Sequence, residues 1–288
     1  MPGLGSILTA MVTPFDAELR VDEEAAVALM HHLETHGSDG LVICGTTGEA
    51  STLTDEEHLR MIELAVSEMR GRCTIVAGVG SNDTRHAVHL TERATELGAD
   101  ALLSVNPYYN RPSRRGIVRH YEEVARATDK PILLYNIPQR TGSDLPNELL
   151  AELAQIDGIV GVKQANPANL AKIDGMMIYA GNDDLLADVL DLGEPGGILV
   201  ASHLFGEQFR QMVDEPERRR EIDASLADVY RDMAIVPLAV ATKAALGLLG
   251  FGVGEPRLPY LPADERELAT IRAMLERHGL LRQASLQA

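Results

Sequence analysis

Lysine is scarce in this chain of 288 residues: there are four, Lys130, Lys163, Lys172 and Lys243, and every other base is an arginine. Bases are few altogether, 26 against 43 acids, for a net charge of −17. Such a surface repels phosphate backbones, so no nucleic-acid partner is expected, although a site within it can be locally positive. Cysteine is limited to Cys44 and Cys73, both in apolar runs. Two isolated thiols make neither a disulfide framework nor a zinc site; they read as reduced core residues of a cytosolic protein. No apolar run reaches the roughly 18 residues of a membrane span. The longest segment, 235–249, is broken by Pro237 and Lys243. Residues 1–11 lack a basic leader and read as a first strand, not a signal peptide. No dinucleotide fingerprint is present. His31, His32 and His36 share a helix with no carboxylate or fourth ligand at metal-binding spacing, so no metal is expected.

Short apolar runs recur eight times, over 6–11, 41–44, 74–79, 101–105, 132–135, 159–162, 176–180 and 197–201. Near-continuous apolar runs suit strands buried on both faces of a parallel sheet. Helical patterns fill most gaps: 23–36, 55–70, 85–97, 117–128, 147–153 and 183–192. Thr54 stands before three acids as an N-cap, and Gly98 marks a C-terminus. Eight strand–helix units predict a (β/α)8 TIM barrel over 1–217. Only helical patterns follow, over 218–231, 235–249 and 263–278, which predicts a C-terminal helical extension over 218–288. Residues 283–288 are expected to fray.

Lys130 and Lys172 lie in polar surroundings. Lys163 instead ends the sixth apolar run, Ile159-Val160-Gly161-Val162. That is the barrel mouth where catalytic residues sit. Partial burial there disfavours the ammonium form, and a neutral amine attacks ketones. Position alone leaves a rim lysine reaching solvent as an equal alternative. Lys243, inside an apolar helix, is the rival.

The other strand ends carry polar groups. Gly45-Thr46-Thr47-Gly48-Glu49 follows the second strand: two glycines admit close backbone approach, and hydroxyls and amides suit a small carboxylate. It is not a P-loop, since no GKS or GKT follows, but a plain helix-capping turn is equally open. Tyr108, Tyr109 and Tyr135 sit at the mouths after strands four and five. A tyrosine beside a reacting amine can move protons; a packed rim residue is the alternative. Arg140 can hold a carboxylate bidentately. Asp183 and Asp184 read as the start of a helix.

With these residues in view, the chain resembles the dihydrodipicolinate synthase / N-acetylneuraminate lyase family of pyruvate-dependent aldolases. The motifs are Thr9-Ala10-Met11-Val12-Thr13-Pro14-Phe15, GTTGE at 45–49, PYYNRP at 107–112, LYNIPQRTG at 134–142 and GVKQA at 161–165. The resemblance runs from Ser6 to about Leu281. It implies that Lys163 forms an imine with pyruvate and needs no cofactor, with Tyr135 as general acid/base. Thr46 and Tyr109 would complete a hydroxyl relay, Tyr109 arriving from a neighbouring subunit. The amides of Thr46 and Thr47 would hold the pyruvate carboxylate, Arg140 the carboxylate of a second substrate, and Gly181 and the backbone near Leu199 would line the pocket. A homotetramer built from tight dimers is also implied.

Within the family, the paired threonines of GTTGE and Arg140 before Thr-Gly resemble the synthases of lysine biosynthesis. That implies aspartate 4-semialdehyde as second substrate and 4-hydroxy-tetrahydrodipicolinate as product. The alternatives are a lyase for a 2-keto-3-deoxy sugar acid or N-acetylneuraminate, or a non-catalytic metabolite-binding barrel. Two positions depart from lysine-inhibited members: Asp55 and His86 stand where those carry histidine and glutamate, although Asn82, His58 and Tyr108 match. Inhibition by lysine is therefore expected to be weak or absent. Gln164 replaces a more usual acid and is expected to face away from the site.

Overall fold

A computed structural model describes residues 3–281. Eight parallel strands form a closed barrel in chain order: β1 (Ile7–Ala10), β2 (Gly40–Ile43), β3 (Thr74–Gly78), β4 (Ala101–Val105), β5 (Ile132–Asn136), β6 (Ile159–Gln164), β7 (Met177–Ala180) and β8 (Gly196–Leu199). β8 pairs back onto β1, Ile7 against Gly197 and Thr9 against Leu199. The predicted fold class is therefore the observed one. Period-two alternation divides the core in two. Leu8, Val42, Val76, Leu103, Leu133 and Ile198 fill the barrel, while Ile7, Leu41, Ile75, Leu102, Leu134 and Leu199 face the surrounding helices.

Local signals explain the element ends. Thr54 Oγ1 accepts the Glu57 amide at 3.2 Å and the Glu57 carboxylate accepts the Thr54 amide at 3.0 Å, a reciprocal cap on helix Asp55–Met69. Gly98 closes helix Thr84–Leu97 at φ 94°, a left-handed conformation natural to glycine. Cys44 is buried, which pushes its thiol pKa up, and Cys73 is half-buried; both are free thiols.

Three details correct the sequence reading. Helix Ser202–Asp214, which the apolar pattern did not reveal, completes the eighth strand–helix unit. β6 runs on through Gln164, so Lys163 lies inside the strand and not just past its end. The helix expected over 218–231 is two, Arg219–Ser225 and Ala227–Met233, before Leu238–Leu248 and Glu265–Arg277. The fraying expected of 283–288 falls outside the described residues. No helix among the described residues is long and apolar enough to cross a membrane.

Candidate active site

Strand parity builds the site. In β6 the register shifts by one residue after Ile159, and beyond that shift Val162 faces the helices, so Lys163 points into the barrel. Gly161, one step below it on the same face, is needed for space: a Cβ there would lie 2.8 Å from Leu133 Cδ2 and from the Met177 carbonyl. Lys163 is in register with Tyr135 of β5 and Tyr179 of β7, so the amine stands in a row between two tyrosines. All three are buried, and Lys163 Nζ lies 4.4 Å from the centre of the Tyr135 ring.

That burial sets the protonation states. Desolvation pulls the Lys163 pKa down to about 8; the negative charge of Asp183 opposes this and the Arg140 guanidinium adds to it. About half of the amine is then neutral at pH 8, where an exposed lysine is almost wholly charged. Burial pushes the Tyr135 hydroxyl up to about 12, with Arg140 opposing, so it stays protonated and able to donate. Tyr179 donates to the Gly5 carbonyl at 3.0 Å, which engages its hydroxyl away from the amine.

A cavity of about 270 Å³ opens above Lys163, lined by Thr46, Thr47, Tyr135, Arg140, Gly181 and Val200 among others. A larger one of about 600 Å³ shares Thr46, Thr47, Tyr135, Arg140 and Lys163 and runs on toward Asp55, His58, His86 and Tyr108. Among the described residues, the Thr46 and Thr47 amides donate to no other group. They are two open donors on a glycine-flanked turn. Arg140 lies within the short helix Pro138–Thr141 and is exposed, and among the described residues it pairs with no carboxylate. An amine, a phenol, two amides and a guanidinium thus share one cavity. That set can take a small keto acid and a second carboxylate.

The structure brings together Lys163, Tyr135, Thr46, Thr47, Arg140 and Gly181. Gly181 is held there by strand crowding, its amide donating to the Gln164 carbonyl at 2.8 Å, and a Cβ on it would meet the Ala165 amide at 2.7 Å. Tyr109 is not brought in by its own chain: it is 89% exposed, at φ 71°, with its amide on the Thr141 carbonyl at 3.2 Å. Leu199 is displaced by one residue of parity. Its side chain packs against the helices, and Val200 supplies the wall. Gln164 faces outward as expected, its Oε1 accepting from the Asn136 side chain and the Asn166 amide, each at 3.0 Å.

The rival lysine is excluded by its surroundings. Lys243 Nζ sits 2.7 Å from Glu49 Oε1 in a fully buried ion pair and lines neither cavity. Sequence reasoning missed Asp183. It does open the helical turn Asp183–Leu185, but it is also buried and accepts the Val200 and Ala201 amides at 2.8 and 3.1 Å. Burial raises its pKa to about 6, against the pull of those amides and of Lys163. Also missed were Leu238, Ala239 and Tyr260, through which the C-terminal segment walls the smaller cavity. The adjacent carboxylates of Asn182-Asp183-Asp184 were the one available signal for the first; the others had none.

Fold and site together define a (β/α)8-barrel enzyme with a desolvated lysine at its C-terminal mouth. Comparison narrows this further. Residues 3–278 match the model of the dihydrodipicolinate synthetase family, and the chain belongs to that family. It is 40% identical over 289 residues to a 4-hydroxy-tetrahydrodipicolinate synthase from a Synechococcus species, covering 96% of this chain and 94% of that one. Among solved structures, it resembles the dihydrodipicolinate synthase of Cyanidioschyzon merolae with lysine bound, at TM-score 0.93 and 35% identity over 96% of this chain and 99% of that one. The chloride-inhibited enzyme of Acinetobacter baumannii complexed with pyruvate matches at TM-score 0.93 and 32% identity, over 96% and 100%.

Proposed function

We propose that this chain is a lyase that condenses pyruvate with L-aspartate 4-semialdehyde to 4-hydroxy-tetrahydrodipicolinate, in lysine and diaminopimelate biosynthesis. The observation that carries the reading is Lys163, buried in the barrel mouth with its pKa lowered to about 8, against the Tyr135 ring. Its neutral amine adds to the C2 carbonyl of pyruvate and water leaves, giving an imine. Tyr135 supplies and recovers the protons of that step, and Thr46 with Tyr109 of a neighbouring subunit links it to solvent. The amides of Thr46 and Thr47 hold the pyruvate carboxylate.

Loss of a C3 proton gives the enamine. Its C3 attacks the aldehyde of the semialdehyde, whose carboxylate rests on Arg140. The substrate amino group then attacks C2, the bond to Lys163 breaks and the ring closes. One water is released overall, and no oxidant or reductant is consumed. The exposure of Tyr109 in a single chain supports a tight dimer as the smallest active unit, paired again into a homotetramer. A cytoplasmic location fits two free thiols.

Borohydride reduction in the presence of pyruvate tests the chemistry. The mass of one reduced pyruvyl adduct is expected on Lys163 and is absent from Lys163→Ala. A parallel assay with aspartate semialdehyde, N-acetylneuraminate and 2-keto-3-deoxy sugar acids tests the substrate. Turnover of a sugar acid in preference to the semialdehyde would overturn the assignment while leaving the imine intact.

A further inference from the structure

Glu49 and Lys243 are buried charges to which the reaction gives no part. Glu49 ends the GTTGE turn in a left-handed conformation, φ 55°, which a residue with a Cβ adopts only when its surroundings hold it. Its Oε1 lies 2.7 Å from Lys243 Nζ, and its Oε2 accepts the Arg257 amide at 2.8 Å. Lys243 also donates to the Glu255 carbonyl at 3.2 Å and stands 4.0 Å from the centre of the Phe15 ring. Arg257 lies 4.3 Å from that same ring and forks onto the Glu57 carboxylate at 2.6 and 2.7 Å. Thr13 Oγ1 donates to the Gly48 carbonyl at 2.6 Å. The segment after β1, helix Leu238–Leu248 and residues 253–257 thus all grip one turn. Within the turn itself, the Glu49 amide reaches the Thr46 carbonyl at 3.1 Å.

We propose that the Glu49–Lys243 pair is a positioning device for the keto-acid carboxylate. It holds the 45–49 turn in its strained conformation, so that the open amides of Thr46 and Thr47 are fixed before the substrate arrives. The inference rests on the reading of those amides as the carboxylate cradle. A buried ion pair adds little net stability over an apolar pair of the same size, but it ties two distant segments together at known atoms. The geometry fixed here belongs to the turn lining the cavity. Helix Leu238–Leu248 carries Lys243 and also walls that cavity through Leu238 and Ala239, so the pair holds turn and wall together.

The test is the double variant Glu49→Gln/Lys243→Met. It leaves no unpaired buried charge, and the glutamine carbonyl can still accept the Arg257 amide. Both KM for pyruvate and the pyruvate concentration giving half-maximal borohydride trapping are expected to rise about tenfold or more, while kcat and KM for the semialdehyde move less than about threefold. A folded double variant with unchanged pyruvate KM and trapping overturns the proposal. So does one in which both substrates lose affinity equally, which is the mark of general loosening. Should the double variant not fold, Glu49→Asp keeps the charge but draws it back by one methylene, and it must show the same selective rise in pyruvate KM. Wild-type protein that pyruvate and borohydride fail to modify would instead overturn the role of Lys163, whatever the pair does.

Discussion

Replacing Lys163 with methionine is expected to abolish turnover and stabilise the protein. The lysine is 5% exposed, and desolvation is the main cause of its lowered pKa, from 10.5 to about 8. A folded-state pKa below the unfolded value means that the folded chain binds the proton more weakly. At pH 7 both states are protonated, and holding the ammonium in the barrel costs about 3 kcal/mol, at about 1.4 kcal/mol for each pKa unit. By pH 9.5 the folded amine is mostly neutral while the unfolded one is mostly charged, and the penalty falls to about 1.4 kcal/mol. Above pH 10.5 it vanishes. Methionine fills a similar volume without charge. Asp183 then loses its cationic neighbour, which pushes its carboxyl further toward the protonated form and limits any new cost. The variant should gain about 1–3 kcal/mol at pH 7, or about 3–8 °C in melting temperature for a chain of this size. Thermal melts of both proteins without substrate, at pH 7 and 9.5, measure this directly. A variant less stable than wild type at pH 7, or an advantage that does not shrink at pH 9.5, would refute the claim that the site holds its amine at the expense of the fold.

Other outcomes follow from the same geometry. Tyr135→Phe keeps the ring against Lys163 but removes the proton donor, so kcat should fall about 10²-fold or more with little change in pyruvate KM, read by steady-state kinetics. Arg140→Ala should cut kcat/KM for the semialdehyde about 10²-fold while borohydride trapping with pyruvate persists, a split that mass spectrometry and kinetics resolve together. Asp183→Asn removes the charge that raises the Lys163 pKa but keeps an acceptor for the Val200 and Ala201 amides, so the acid limb of the pH profile for pyruvate should shift to lower pH. In the larger cavity, His86 pairs with Asp55 at 3.0 Å and reaches Ser81 Oγ at 3.2 Å, so the two residues on which the expectation of weak lysine inhibition rests satisfy each other. Titrating free lysine into the initial-rate assay should leave more than half the activity at about millimolar concentration; half-inhibition well below that would refute this reading.

The barrel was legible because parallel strands buried on both faces are written as uninterrupted apolar runs, and all eight runs became strands. Helix Ser202–Asp214 was not, since Gly206 interrupts it and Phe205 sits at non-helical angles within it. At the site, Lys163 stood out because lysine is scarce and this one ends an apolar run; position alone left a rim lysine equally open, and the motifs around it decided. Leu199 and Val200 could not be told apart, because a shift of one residue exchanges the two faces of a strand and only the pairing with β1 decides which points inward. Glu49 and Lys243 are almost two hundred residues apart. Nothing local marks a charge whose partner lies so far along the chain, and Lys243, inside an apolar helix, read only as a rival to Lys163.

The wall built by Leu238, Ala239 and Tyr260 gives the chain an order of events during synthesis. Lys163, Tyr135 and the GTTGE turn leave the ribosome well before the segment that roofs them. A chain made through β8 lacks that wall, and the Lys243 partner of Glu49 is not yet made. Residues 238–260 add the last of the cavity wall. The cavity around Lys163 is therefore finished only when residues 238–260 are in place, and a carbonyl compound meeting the growing polypeptide finds a site with one wall missing.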